Sequence, residues 1–277
     1  DGGKLPDETE ETLTAMVFDG VSDRDGGSFE TTNLTDEYAD FLVSTAKELN
    51  LSGMKIALDT ANGAASHIGA KVFENLGAEV IALSNSPDGH NINDHCGATD
   101  TENLKRAVLE QKCDIGIAVD GDADRLIMID HLGRECNGDH LLHILAVSGG
   151  HKRIVATVMT NLGAEQSLKS HDIDLERASV GDRYVLERLN ETGLTLGGEQ
   201  SGHIIMTNLS TTGDGLLSAI QVLKSIRQSD KSLADWRDEV ILLPQVLVNF
   251  PIEDKSRLSN QSVIRYLEQE TAEIGDD

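Results

Sequence analysis

Apolar residues in this chain fall into two kinds of block, distinguished by spacing. "MKIALD" (54–59), "AEVIALS" (78–84), "DIGIAV" (114–119), "RIVATVM" (153–159), "DLERASV" (174–180) and "LTLGGE" (194–199) are short runs, mostly bounded by Gly, Asn, Asp or Ser, and predict strands. Between them, "AASHIGAKVFENLG" (64–77), "TENLKRAVLEQKC" (101–113), "GAEQSLKSHD" (163–172), "DRYVLERLNETG" (182–193) and "DGLLSAIQVLKSIRQ" (214–228) read as amphipathic helices. Two more helical patterns come earlier. "DETEETLTAMVF" (7–18) is acidic at its start, as the helix dipole prefers, and "TDEYADFLVSTAKELN" (35–50) offers Thr35 as N-cap with Tyr38, Phe41, Leu42 and Leu49 largely on one face. Residues 19–35 have the Gly, Asp and Ser density of an exposed loop.

Short strands alternating with amphipathic helices predict an α/β protein with mainly parallel, mixed sheets. "KIALDTANGA" and "RIVATVMTNLGA" both run from a strand through an Asn- and Gly-bearing turn into a helix, a hint of two similar domains in series. Near 233–244 the character changes, and "PQVLVNFPI" (244–252) looks like a strand opening something new.

At 277 residues the chain has the length of about two domains. No apolar run approaches the ~18 residues of a membrane span, so no membrane role is expected. Net charge is −25, from 23 basic and 48 acidic residues spread along the chain. That field repels nucleic acid and anionic membrane, so an anionic substrate needs a local cation. A heavily solvated surface suited to a salty habitat is the plain alternative. Three scattered cysteines without a CxxC argue against disulfides and zinc and for a reducing cytoplasm.

The chemistry concentrates in "CDIGIAVDGDADRLIMIDHLG" (113–133), where Asp120, Asp122 and Asp124 stand at alternate positions between two runs that want burial. Two carboxylates ~4 Å apart repel by roughly 4 kcal/mol at an effective dielectric near 20, so three together call for a countercharge. Hard oxygen donors suit Mg²⁺ or Ca²⁺ better than zinc. A calcium EF-hand needs Gly at its sixth position and Glu at its twelfth, and here Arg125 and His131 stand there. Three protein ligands leave positions for water and a phosphoryl oxygen, and Arg125 is placed to hold a phosphate or tether the loop. The bland alternative is a hairpin whose aspartates cap backbone amides.

A second constellation, "LGGEQSGHIIM" (196–206), puts Glu199, Gln200, Ser201 and His203 in a Gly-flanked turn able to meet sugar hydroxyls, or equally to be a polar turn without a ligand. It is not the G-x-S-x-G elbow of a hydrolase. His203 is either a general acid or base or a satisfied turn histidine. In "SVGDRYVLERL" (179–189), Gly181, Asp182 and Arg183 lie at a strand-to-helix junction, the ligand-binding edge of a parallel sheet. Arg183 is a candidate for an anionic group, and Asp182 for either a ligand contact or an N-cap. Asp214 in "TTGDGLLSAI" reads as a cap. No Walker P-loop or G-x-G-x-x-G occurs, so nucleotide binding has no support.

On these residues the chain resembles the α-D-phosphohexomutase superfamily. "DGDADR" is similar to its metal loop, "GGEQSGH" to its sugar-binding loop and "VGDRYVLE" to a substrate-facing turn of its third domain. "SPDGHNINDHCGATD" and "DTANGAASHIGAKVF" resemble the glucosamine-specific branch more than the mannose and glucose branches. The resemblance implies the tail of domain 1 and a linker at 1–34, domain 2 at 35–136, domain 3 at 137–230 and the start of domain 4 at 231–277. It also implies Mg²⁺ on Asp120, Asp122 and Asp124, with Arg125 and His203 catalytic. Gly181, Asp182, Arg183, Glu199 and Ser201 would bind a hexosamine phosphate and its bisphosphate.

The implied reaction interconverts glucosamine 6-phosphate and glucosamine 1-phosphate through a phosphoserine, feeding amino-sugar nucleotide synthesis, in a cytoplasmic protein for which a homodimer stays open. The family's phosphoserine loop and its S-G-T-E-P phosphate clamp have no counterpart in these 277 residues. Ser66, Ser84 and Ser201 sit in other motifs. The chain alone is therefore expected to be inactive. Alternatives are a phosphomannomutase or phosphoglucomutase, a haloacid-dehalogenase-type phosphatase suggested by D-x-D, and a non-catalytic sugar-phosphate-binding module.

Overall fold

The structure is a computed structural model that describes residues 5, 7–20, 28, 30–247, 251 and 260–274. It divides into two units, Asp1–Leu243 and Pro244–Asp277. The first holds two sheets of one plan. In the first sheet β1 (Lys55–Asp59), β2 (Glu79–Leu83), β3 (Ile115–Val119), β4 (Leu126–Asp130) and β5 (Glu135–Cys136) lie in the order β2-β1-β3-β4-β5. Strands β2, β1 and β3 are parallel, and β4 returns antiparallel to β3. In the second, β6 (Arg153–Thr157), β7 (Asp174–Ala178), β8 (Leu196–Gly198) and β9 (Ile204–Met206) follow the order β7-β6-β8-β9, with β9 antiparallel to β8. The mixed α/β architecture expected from the alternating blocks is present twice.

The unbroken apolar runs of β3 and β4 follow from burial on both faces. Ala57, Ala118, Ile127 and Ile129 pack on one side with Leu104 and Val108 of α4 (Glu102–Gln111). Ile56, Leu58, Ile117, Leu126 and Met128 face the main core. There they share one cluster with Leu42 of α2 (Thr35–Ser44), Phe73 of α3 (Gly69–Asn75) and Leu216 and Ile220 of α8 (Gly215–Gln228). The same cluster takes in Ile154 and Ile204 of the second sheet and Leu141 of α5 (Gly138–Ser148), with α8 packed on β3, β4 and α5, and α5 on β8. On its far side the second sheet meets Val185 and Leu189 of α7 (Asp182–Thr192). Helices α6 (Leu162–Ser170) and α9 (Leu233–Asp238) pack on α5 in the main core, and α1 (Asp7–Phe18) forms as its acidic start predicted.

Several sequence expectations need correction. Thr35 is the first residue of α2 and not its cap: its backbone N–H donates to Asn33 Oδ1 at 3.0 Å, so Asn33 does the capping work. The stretch 64–77 is a 3-10 turn (Ala64–His67) followed by α3, because Ile68 leaves helical geometry at φ −122°. Helix α5 was not predicted, since nine of its eleven residues are buried and no polar face marks a period. Helix α9 was not predicted either, though a Ser232–Asp235 capping box starts it. Residues 244–247 carry no strand, and the rest of the "PQVLVNFPI" strand falls mainly outside the described residues, as do residues 21–27 and 29 of the 19–35 loop. In the second unit, α10 (Gln261–Ile274) is the described helix. No helix among the described residues is long and apolar enough to cross a membrane.

Candidate active site

The two motifs occupy the same place in the repeated plan. Residues 120–125 connect β3 to its antiparallel neighbour β4, and residues 199–203 connect β8 to β9. Each loop is shaped by its own backbone bonds. Asp120 accepts the N–H of Arg125 on its side chain at 3.1 Å and that of Ala123 on its carbonyl at 3.0 Å. Ala64 donates to the Gly121 carbonyl and Gly215 to the Ala123 carbonyl, both at 2.8 Å, which anchors the aspartate loop to the first sheet and to α8. In the other loop Glu199 N donates to His203 O at 2.9 Å and Gly202 N to Glu199 O at 3.0 Å.

The loops are joined to each other. Arg125 and His203 form an antiparallel bridge, and Leu126 N donates to Gly202 O at 3.0 Å. This approach requires glycine at 202, whose φ is +94° and where a Cβ would sit 2.1 Å from Leu126 O. The buried His203 imidazole spans the seam, with Nδ1 3.1 Å from Asp124 Oδ2 and Nε2 3.7 Å from Asp182 Oδ2. Its ring rests on Gly213, where a Cβ would fall 2.2 Å from Nε2.

A cavity of about 490 Å³ opens along this seam. Of the predicted residues it takes in Asp124, Arg125, Gly181, Asp182, Glu199, Ser201 and His203, and it adds Thr157, Met159, Val180 and Gln200. Glu199 Oε1 accepts the Gly181 N–H at 2.9 Å, tying the turn before α7 to the loop. Asp182 is not the N-cap of α7. Gly181 holds that position, while the Asp182 carboxylate sits in the first helical turn and faces His203. Arg183 is not brought to the cavity: its Nε donates to Glu187 Oε1 at 2.9 Å, one helical turn along. Asp214 does cap, accepting Leu217 N at 2.9 Å.

Carboxylate oxygens of Asp120, Asp122 and Asp124 gather within 4.8 Å of one another. Burial raises the Asp120 pKa, the charges of Asp124 and Asp122 raise it further, and the Arg125 N–H and guanidinium only partly oppose them. The Arg125 Nε lies 3.5 Å from Asp120 Oδ2 and 3.8 Å from Asp124 Oδ1, one positive charge set against three negative. Oxygen donors alone, crowded and electrostatically incomplete, fit a hard divalent cation.

Sequence reasoning missed Asp139. It is buried at 1% exposure in the first turn of α5, accepts Asn161 N at 3.1 Å and Gln200 Nε2 at 3.3 Å, and burial raises its pKa to about 6. With Gly138 N donating to Gln200 O at 3.0 Å, it supports the Glu199–His203 loop from behind. An acid in "CNGDHLL" carries no pattern that distinguishes it from a turn residue.

Two α/β/α units meeting at a carboxylate loop and a polar sugar-type loop define the phosphohexomutase architecture. The profile of phosphoglucomutase/phosphomannomutase α/β/α domain II matches residues 36–133, and that of domain III matches residues 137–242. The chain belongs to this family. It is 46% identical over 258 residues to the phosphoglucosamine mutase of Thermus thermophilus, covering 93% of this chain and 59% of that relative's length. Among solved structures, a phosphoglucomutase/phosphomannomutase family protein from Burkholderia thailandensis shares the fold at TM-score 0.74 and 22% identity, over 89% of this chain and 54% of the other. An Aspergillus fumigatus N-acetylphosphoglucosamine mutase, solved with GlcNAc-6P and magnesium, aligns at TM-score 0.62 and 17% identity, over 81% and 52% of the two chains.

Proposed function

We propose that this chain is the metal- and sugar-binding centre of a phosphosugar mutase that interconverts glucosamine 6-phosphate and glucosamine 1-phosphate through a phosphoserine and a bisphosphate. The reading is carried by the seam itself, where Asp124 and Arg125 of the aspartate loop share one cavity with the Glu199–His203 loop, held together at Arg125 and His203. The glucosamine assignment is supported by relatives named phosphoglucosamine mutase at 46% identity. A haloacid-dehalogenase-type phosphatase falls away with the family assignment. Sugar-phosphate chemistry and three free, buried thiols fit a cytoplasmic enzyme.

Asp120, Asp122 and Asp124 would hold Mg²⁺, which when bound neutralises charge on the transferring phosphoryl group. Arg125, half exposed at the cavity wall, would meet a phosphoryl oxygen. Glu199 and exposed Ser201 receive sugar hydroxyls on the opposite wall. Nε2 of His203 is shielded from solvent, so the imidazole acts by fixing Asp124 against the sugar loop and not by taking a proton from a hydroxyl. Of the predicted substrate-binding residues, Arg183 drops out.

The test is turnover by the protein that carries this chain within its full coding sequence. Interconversion of the two glucosamine phosphates, primed by bisphosphate and lost in Asp122→Asn, is the expected result. Release of inorganic phosphate without isomerisation would overturn the reading.

A further inference from the structure

We propose that His143, His171 and Glu239 form a second metal site, built for an imidazole-binding transition ion such as Zn²⁺, that pins α9 to α5 and α6. None of the three lines the sugar-phosphate cavity. His143 lies on α5 at 0% exposure, His171 follows the last turn of α6, and Glu239 ends α9. Nε2 of His143 is 3.4 Å from Glu239 Oε2, Nε2 of His171 is 4.0 Å from the same oxygen, and one ligand atom from each residue falls within a 4.8 Å group. Ligands about 2.0–2.1 Å from a tetrahedral zinc stand about 3.3 Å apart, so small side-chain rotations complete the set.

The hydrogen bonds around His143 call for a cation at this spot. Ser167 Oγ has one proton, and its shorter contact, 2.8 Å, is to the Glu239 carbonyl oxygen. Towards His143 Nδ1, 3.4 Å away, Ser167 is then an acceptor, so Nδ1 carries the imidazole proton. With Nδ1 carrying the proton of a neutral imidazole, the lone pair of Nε2 faces Glu239 Oε2 3.4 Å away, two electron-pair donors side by side.

The surroundings keep Glu239 ready to bind. Lys231 bonds the other oxygen, Oε1, while stacking 4.0 Å from the centroid of the Trp236 ring, which leaves Oε2 turned to the histidines. Two imidazoles and one carboxylate, partly open at His171, match a zinc site with a free position for water, not a magnesium site.

The test titrates Zn²⁺ by calorimetry, and Co²⁺ by visible absorption, into the 277-residue chain and its His171→Ala variant. His171 is partly exposed, so its removal leaves the packing intact. The cavity also gathers Asp124, Asp182 and His203, so the readout is the difference between the two proteins. The intact chain should bind one more equivalent than His171→Ala, or bind that equivalent about 100-fold or more tightly. Zn²⁺, and not Mg²⁺, should raise its thermal midpoint by an increment the variant lacks. Equal stoichiometry and affinity with equal thermal shifts in both proteins would overturn the site, as would a His171-dependent stability change that follows pH but not zinc.

Discussion

The β3–β4 and β8–β9 loops are one structural position used twice, and they differ in how complete they are. The second satisfies itself: Glu199 takes the Gly181 N–H, Gln200 reaches Asp139, and its backbone closes on His203. The first does not, because three carboxylates gather with one guanidinium set against two of them, and Asp120 is pushed towards its protonated form. A self-satisfied loop presents a fixed surface, while an incomplete one waits for an ion. The same scaffold thus carries one loop that meets its own hydrogen-bonding needs and one whose charge, on the proposed reading, an ion would balance.

The sharpest way to break this pairing is at the seam. Gly202→Ala places a methyl against Leu126 O at positive φ and should cost on the order of 3 kcal/mol in urea unfolding. A wild-type midpoint would show that the loops are not held together there.

Next in size is the support behind the second loop. Asp139 has a folded pKa of about 6 against about 4 unfolded, so the fold binds its proton more tightly. The stability this contributes is present below about pH 4 and is lost as pH rises through about 6, on the order of 2–3 kcal/mol. Unfolding of the chain and of Asp139→Asn, followed from pH 4 to 7, should show that loss only in the former.

Glu199→Gln weakens the charged acceptor for Gly181 N and should cost about 1–2 kcal/mol of stability together with glucosamine 1-phosphate affinity. Smallest is Arg183→Ala. Its bond to Glu187 is a helical i,i+4 pair, so a loss of about 1 kcal/mol or less is expected, with sugar-phosphate binding unchanged by calorimetry.

Both loops were legible in the sequence because their residue types are improbable where they stand: acids between buried strands, and a polar turn between glycines. The strand and helix alternation was equally plain wherever one face stayed polar. Legibility ended where burial was uniform, as in α5, whose apolar residues surround the helix and erase its period. Direction was also hidden. Sequence places Arg183 beside Asp182, but only the helix shows that one turns along α7 to Glu187 and the other back to His203. Asp139 and the cluster of His143, His171 and Glu239 depend on neighbours 22 to 96 positions away, which no local pattern reveals.

The central claim is that the incomplete loop and the complete one serve a single sugar phosphate. Calorimetric titration of glucosamine 1-phosphate into the chain, with and without Mg²⁺, tests it most directly. Tightening by Mg²⁺ of about tenfold or more, equivalent to a coupling near 1.4 kcal/mol and abolished in Asp122→Asn, is the predicted result. Equal affinity with and without the ion would contradict the account.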